Sequence, residues 1–343
     1  MKILRFLLFP VAIVYDLVTS VRNLFFDTGV FKQTEFQLPV IAVGNLSVGG
    51  TGKSPQIEYL IRLLKEKYQV ATLSRGYKRK TKGFQLVNEN HSVEDVGDEP
   101  MQFYKKFDGI TVAVDADRVN GITQIIENRK PDVVLLDDAF QHRKVKASFY
   151  ILLTKYNDLY SNDFILPTGN LRESRRGAKR ANAIVVTKCP VDLSEEKQNT
   201  IRKKLTIDEN QQVFFSKIRY EETIYSNKGN MNLNDLENSE IVLVTGIASP
   251  DSLLQFLGKR MIKIKHINFP DHHNFTEKDL NKIRMTSRSL SGERKVILTT
   301  EKDYVRLGES INNLYYLPIE SSFLGEEKEF NSMVLNHVDS RMS

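Results

Sequence analysis

A mainly parallel α/β architecture, with a P-loop NTPase-like sheet domain followed by a second, smaller α/β domain, is what this sequence predicts. Three observations carry the prediction. Short, uniformly apolar, β-branched runs recur along the chain, helical patterns lie between most of them, and a glycine-rich segment ending in Lys-Ser joins an early run to the helix after it. Strands covered by helices on both faces read as continuous apolar runs because neither face meets water.

Composition sets the bounds. A length of 343 residues suits one large or two medium α/β units. With 41% hydrophobic and 27% charged residues the chain is globular, which excludes a disordered or fibrous protein. Forty-nine basic residues against 43 acidic ones leave +6. That excess favours anionic partners such as phosphates or acidic lipid head groups and falls short of a nucleic-acid-coating protein. The single cysteine, Cys189, rules out an intramolecular disulfide and a cysteine-rich metal cage, and fits a reducing compartment.

The first element is apolar. Residues 6–15 (FLLFPVAIVY) are flanked by Lys2 and Arg5 before and by Asp16 and Arg22 after. The run is about half of the ~20 residues that cross a bilayer, and Pro10 interrupts it. A basic start and a short apolar centre match a signal peptide, but no small-x-small cleavage site follows. Instead Val18, Val21, Leu24 and Phe25 continue the apolar pattern at helical spacing. A helix lying in the membrane interface accounts for both halves, and a helix packed on its own domain is the alternative.

Strands are expected at 40–43, 70–73, 110–114, 133–136, 149–153, 184–186, 241–244 and 296–298. Between the first two, 55–66 reads as a helix with Ile57, Leu60, Ile61 and Leu64 on one face. The stretch 201–234 breaks the rhythm: it is polar, charged and rich in Asn, with two short alternating runs at 213–218 and 224–225. The expected organisation is therefore an N-terminal membrane-associated helix at 1–30, a nucleotide domain at 31–205, a connector at 206–235 and a C-terminal α/β domain at 236–343.

The chemistry begins at 47–54 (SVGGTGKS), between the strand at 40–43 and the helix that opens at Pro55. Gly49, Gly50 and Gly52 let the backbone of Ser47, Val48 and Thr51 fold tightly, so that successive N–H groups point at phosphate oxygens. Lys53 brings a point charge to the β- and γ-phosphates and Ser54 a hydroxyl to Mg²⁺. Pro55 suits a first helical turn, where no N–H is required. Ser47 stands where the usual pattern has Gly. A second element, 132–138 (DVVLLDD), is an apolar strand ending in Asp137 and Asp138, the form of a Walker B segment that holds the metal. Together they make a Mg-nucleotide site.

Other nucleotide classes fit less well. A GTPase needs N/T-K-x-D, yet 187–190 (TKCP) lacks the aspartate and 300–303 (TEKD) has the wrong spacing. A transporter ATPase shows LSGGQ before its Walker B strand, whereas 290–293 (LSGE) is incomplete, lies after Asp138 and reads as a surface loop. No stripe of basic and aromatic residues marks a nucleic-acid motor. A kinase or another small-substrate phosphate enzyme remains. Its further candidates are the acids of 97–100 (GDEP), which also suit a helix cap, and the histidines of 269–273 (FPDHH). Two adjacent histidines point differently and no third ligand cluster accompanies them, so proton transfer assisted by a carboxylate is favoured over metal binding. Arg75, Arg118, Arg172, Arg175 and Arg176 lie near strand ends, where guanidinium forks suit phosphate.

Taken together, 43–55 (VGNLSVGGTGKSP), 74–77 (SRGY), 97–100 (GDEP), 136–142 (LDDAFQH), 269–272 (FPDH) and 299–303 (TTEKD) resemble the tetraacyldisaccharide 4′-kinase family, in the family's order across most of the chain. The resemblance implies transfer of the ATP γ-phosphate to the 4′-hydroxyl of a tetraacylated glucosamine disaccharide 1-phosphate, on the route to lipid A. It also implies a P-loop fold with two α/β domains and peripheral association with the cytoplasmic face of the bacterial inner membrane. Carried over by motif, Lys53 and Ser54 serve ATP and Mg²⁺, and Asp137 and Asp138 the metal and its coordinated water. Asp98 matches the catalytic carboxylate and His272 its partner. Arg75, Arg118 and Arg172 match arginines lining the nucleotide or acceptor-phosphate region. Ser54 replaces the commoner Thr and keeps the hydroxyl; Ala139 stands where Gly is frequent. The rival readings are a P-loop ATPase of assembly or metal delivery, with no alcohol acceptor, and a kinase for a soluble sugar or cofactor.

Overall fold

In the computed structural model, which describes residues 5–291 and 295–342, the apolar runs become the centres of strands. Lys2, and Gly292 and Glu293 of the expected 290–293 loop, lie outside the described residues. In chain order the strands are β1 (Val40–Asn45), β2 (Val70–Ser74), β3 (Gln85–Leu86), β4 (Thr111–Val114), β5 (Val133–Asp137), β6 (Phe149–Lys155), β7 (Ala183–Thr187) and β8 (Gln212–Tyr220). They continue as β9 (Thr223–Ser226), β10 (Gly229–Asn232), β11 (Glu240–Thr245), β12 (Lys263–Asn268), β13 (Val296–Thr300), β14 (Leu314–Leu317) and β15 (Ile319–Phe323).

The larger sheet has the order β15-β8-β7-β6-β1-β5-β2-β4-β3. From β8 to β4 every pairing is parallel, and the short β3 runs against β4. β1 lies at the centre, with Val43 opposite Asp137 of β5 on one side and Ile151 of β6 on the other. The chain lays β2, β3 and β4 to one side of β1, returns to insert β5 beside it and then crosses to β6 on the other side, so the strand order reverses around β1. In open α/β sheets the crevice at such a reversal, beyond the carboxyl ends of the strands, is where ligands bind. Helix Arg118–Arg129 packs Ile122 and Ile125 against Val40, Ala42, Ala71, Leu73, Val134 and Leu136. Helix Lys53–Leu64 buries Ile57, Leu60, Ile61 and Leu64 completely, the face that the spacing predicts.

The chain forms two compact units, one running to Ile218 and resuming at Ser321, the other spanning Arg219–Glu320. This corrects the expected boundaries. Residues 206–235 are not a connector: β8 pairs in parallel with β7, Ala183 opposite Gln212, and β9 and β10 form an antiparallel hairpin in the second unit. Nor does 236–343 stay together. Helix Glu327–Met342 belongs to the first unit, where Phe330 packs 5.1 Å from Phe214, 4.5 Å from Phe323 and 5.9 Å from Tyr59 between ring centres. Strand β8 lies between β15 and β7 and buries Val213–Ser216 but not its polar ends, so it resembles a linker, and the apolar stripe Phe330, Val334 and Val338 does not itself name its partner. The second unit has its own sheet, β10-β9-β14-β13-β11-β12, parallel from β14 to β12.

At the N-terminus, helix Phe9–Asp27 carries Pro10 in its first turn, where proline starts a helix instead of interrupting it. Ala12 and Phe26 are buried, while Val11, Ile13, Val14, Leu17, Val18, Val21, Leu24 and Phe25 are exposed. Its 19 residues are long and apolar enough to cross a membrane by length and composition. A contiguous exposed stripe of this kind marks an interaction surface.

Phe330→Ala should destabilise the first unit by ~3–5 kcal/mol, the usual cost of emptying a buried aromatic site. Urea unfolding checks this, and an effect confined to a separately melting second unit would contradict the assignment of the C-terminal helix.

Candidate active site

The carboxyl ends of β1 and β5 gather most of the predicted residues. The glycine-rich loop leaves β1 at Asn45 and enters helix Lys53–Leu64 through Gly52, whose φ of 86° is a left-handed conformation that favours glycine. A second glycine, Gly44, is required by contact: a Cβ there would lie 2.7 Å from Cβ of Phe140. The loop is tied from three sides. Asn45 Nδ2 donates to Thr51 Oγ1 at 2.8 Å, Thr187 Oγ1 donates to the Thr51 carbonyl at 2.8 Å, and Val48 N donates to the Asn170 carbonyl at 2.8 Å. Such ties pre-set a phosphate cradle before any ligand arrives.

Lys53 Nζ lies 3.7 Å from Asp138 Oδ1. Arg172 reaches the same carboxylate from the other side, its NH1 3.1 Å and 3.2 Å from the two oxygens, while its NH2 donates to Asn45 Oδ1 at 2.6 Å. Asp138 adopts a φ of 47°, uncommon for a residue with a Cβ and concentrated at functional sites. Beside it, Asp137 accepts from Ser74 Oγ at 3.3 Å, and its other oxygen, Oδ1, is buried with no hydrogen-bond partner among the described residues. Burial, then the nearby charges of Glu99 and Asp138, push the Asp137 carboxyl up to about 7 against the pull of Lys53 and Arg118.

This donor set fits a magnesium ion. Mg²⁺ takes one or two protein carboxylates, keeps several waters and shares substrate phosphates, so it needs no all-protein cage. Among the described residues no group of three or more His, Cys, Asp or Glu is placed to hold a metal alone. The orphaned Oδ1 of Asp137 and a carboxyl whose ionisation burial opposes are the features a divalent cation relieves. Asp137, Asp138 and the Ser54 hydroxyl on the first turn of the loop helix are the residues that can hold it.

Arg118 is buried, its guanidinium pulled down to about 10 chiefly by that burial, with its Nε unpartnered and NH1 donating to the Asp115 carbonyl at 2.8 Å. The charge of Arg75 acts on it too, which brings these two arginines together. Arg75, Lys78, Arg79 and Lys82 line a cavity of about 370 Å³ in the loop after β2. His142 is pushed down to about 4, by burial first and Arg118 second, so it is a neutral imidazole beside that arginine. Arg175 is engaged elsewhere, donating to the Asp163 carbonyl at 2.9 Å and 2.6 Å, and Arg176 is exposed.

Asp98 is 4% exposed at the first residue of helix Asp98–Lys106, immediately after Gly97. His272 belongs to the second unit, on the loop after β12. Its Nε2 lies 2.9 Å from Lys302 Nζ and its Nδ1 3.1 Å from Arg306 NH2, with Asp271 Oδ1 4.0 Å away. Its φ of 59° is again left-handed. The neighbouring His273 turns away to Asp279 at 3.0 Å and stacks on Phe269, so the two histidines do not converge. Asp303 ties the loops of this unit, accepting from Gly246 N at 2.8 Å and Thr300 Oγ1 at 2.7 Å.

Sequence reasoning missed Asn45, Ser74, Gln141 and Glu173. All but Glu173 sit inside the blocks quoted for the family resemblance, so position within those blocks was the available signal. Their chemistry is that of orienting groups, which carry no spacing rule of their own.

A family model described as tetraacyldisaccharide-1-P 4′-kinase matches residues 4–339. The tetraacyldisaccharide 4′-kinase of Flavobacterium johnsoniae is 55% identical, covering 98% of this chain and 98% of its own length. That of Bacteroides thetaiotaomicron is 43% identical over 96% of this chain and 92% of its own length. Among solved structures, LpxK from Aquifex aeolicus in complex with ATP is similar, with a TM-score of 0.79 and 30% identity over 98% of this chain and 99% of that one.

The raised Asp137 carboxyl has a signed consequence for stability. The folded protein holds this proton more tightly than the unfolded chain, so the cost of burying the charge grows as pH rises from about 4 and is fully present above about 7. In magnesium- and nucleotide-free protein, Asp137→Asn should raise Tm at pH 8, with the gain shrinking towards pH 4. Equal Tm values at pH 8 would show that the charge is not strained.

Proposed function

Because this chain belongs to the tetraacyldisaccharide-1-phosphate 4′-kinase family, we infer that it transfers the γ-phosphoryl group of ATP to the 4′-hydroxyl of a tetraacylated disaccharide 1-phosphate, a step of lipid A biosynthesis. The observation that carries the reading in physical terms is the convergence of Lys53, Asp137, Asp138 and Arg172 at the carboxyl ends of β1 and β5.

Phosphoryl transfer passes through a loose transition state, so the protein chiefly positions groups and balances charge. The N–H groups of Val48 to Ser54 and the Lys53 ammonium bind the β- and γ-phosphates, and Arg172 keeps Asp138 in place beside them. Ser54, Asp137 and Asp138 would hold a magnesium ion, which would supply positive charge against the charge that develops on the phosphates. Arg75 and Arg118 supply positive charge for the nucleotide or the acceptor phosphate. As the 4′-oxygen bonds to the γ-phosphorus, its proton passes to the Asp98 carboxylate and the leaving electron pair departs with ADP. Asp98 is buried at the first residue of helix Asp98–Lys106, a rigid placement that supports this role. His272, steadied by Lys302 and Arg306 within its own unit, is assigned the support of that carboxylate.

The exposed apolar stripe of helix Phe9–Asp27 supports peripheral attachment to the cytoplasmic face of the inner membrane, where a lipid acceptor resides. An assembly or metal-delivery ATPase leaves the acceptor unused, and a soluble-sugar kinase leaves this stripe idle. Labelled ATP and a detergent-dispersed acylated disaccharide phosphate distinguish the readings: label should enter the lipid phase, and its absence there would defeat the kinase reading. In that assay Asp98→Ala should lower turnover by roughly 10²–10⁴-fold, the range for loss of a general base, with ATP affinity little changed. Deleting residues 1–25 should weaken vesicle binding and raise KM for the lipid acceptor more than for ATP. Equal vesicle binding by both forms would return the segment to an ordinary packing helix.

A further inference from the structure

The N-terminal helix has two faces, and the one opposite its apolar stripe touches the machinery of the site. Tyr15, Arg22, Asn23 and Phe26 fall on that side by helical spacing. Tyr15 Oη donates to the Arg172 carbonyl at 3.1 Å, Arg22 NH2 to the Gln141 carbonyl at 3.2 Å, and Asn23 Nδ2 to Glu173 Oε2 at 2.7 Å. Further along, Asp27 pairs with Arg143 at 2.6 Å. All of these residues belong to the first unit.

Glu173 is the hub of this contact. It is 3% exposed, and its Oε1 accepts from Arg180 NH2 at 2.8 Å and from Gln141 Nε2 at 3.0 Å. The same Gln141 amide donates to the Asn45 carbonyl at 2.8 Å, while its oxygen accepts from Arg172 NH1 at 3.3 Å. Arg172 in turn holds Asp138 and Asn45, and Asn45 holds the phosphate loop through Thr51. An unbroken chain of hydrogen bonds thus runs from Asn23 through Glu173, Gln141 and Arg172 to Asp138. Among the described residues the buried Asn23 amide oxygen has no hydrogen-bond partner, so the bond from its nitrogen to Glu173 sets the orientation of this side chain. The segment that carries Arg172 and Glu173 also meets the phosphate loop directly, with Arg172 N donating to the Leu46 carbonyl at 2.7 Å.

We propose that Asn23 is a positioning residue through which the N-terminal helix sets the geometry of Arg172 and Asp138. The helix is then more than an anchor. Its apolar face serves attachment, while its polar face, through Glu173, serves the geometry of the phosphate site. A buried carboxylate that loses one of its donors shifts to recover it, and Gln141 and Arg172 are the groups tied to that shift. This inference rests on the kinase reading above.

The test separates anchoring from positioning by the split between kcat and KM. In the lipid-phosphorylation assay, Asn23→Ala should lower kcat roughly tenfold, the lower end of what loss of an outer-shell partner costs, with KM for the lipid acceptor and partition onto phospholipid vesicles within about twofold of wild type. Asn23→Gln, which keeps an amide donor, should recover much of the lost kcat. Val18→Asp, on the exposed apolar side, should show the opposite pattern: weaker vesicle binding and a higher lipid KM at nearly unchanged kcat. Unchanged kcat in a folded Asn23→Ala variant, or a loss confined to lipid KM and vesicle binding, overturns the proposal. Wild-type protein that fails to label the lipid overturns the kinase reading instead.

Discussion

Negative charge crowded into a buried spot is the constraint around which this molecule is arranged. Asp137 and Asp138 end the central strand β5, and Glu99 adds its field to theirs. Like charges a few ångströms apart repel by about 4 kcal/mol at the effective dielectric of a protein site. Lys53 and Arg118 answer part of that repulsion, yet burial first and these acids second still push the Asp137 carboxyl up to about 7. Each pKa unit is about 1.4 kcal/mol, so the residual strain is on the order of 4 kcal/mol. A divalent cation would offset this charge, so the acid pair is primed to hold one.

The surrounding fold keeps that primed state from relaxing. Asp138 is held in a left-handed conformation by Arg172 and Lys53, and the phosphate loop is fastened through Asn45, Thr187 and Asn170. Pre-organisation of this kind matters because phosphoryl transfer draws its rate from positioned charge. The second unit repeats the pattern at lower charge density. His272 is also left-handed and flanked by cations, and Asp303 ties the neighbouring loops by hydrogen bonds to Gly246 and Thr300.

The legible part of this design was whatever is encoded by spacing. The tight glycine loop, the lysine and hydroxyl after it, and the acids that end an apolar run are all local patterns, and each lies where the pattern places it. Asn45, Gln141 and Glu173 were illegible as site residues because their task is to orient other side chains, and orientation leaves no periodic mark. The strand β8 reads as a connector because its buried centre, Val213–Ser216, is short, and polar, partly exposed residues flank it. Helix Glu327–Met342 was assigned to the wrong unit because apolar spacing reveals a buried face without revealing what buries it.

Local backbone demands and hydrophobic rhythm were set by the sequence alone: the phosphate loop, the carboxylate-tipped strand, the parallel α/β class and the apolar N-terminal helix. These depend on residues within a few positions of one another. Only the tertiary structure decided that the chain returns through β15 to seat Phe330 on the first unit, and that Asn23 lies within hydrogen-bond reach of Glu173. Such contacts join segments some 115 to 150 positions apart, and they follow from which complementary surfaces meet when the sheets assemble, a choice that no short stretch of sequence contains.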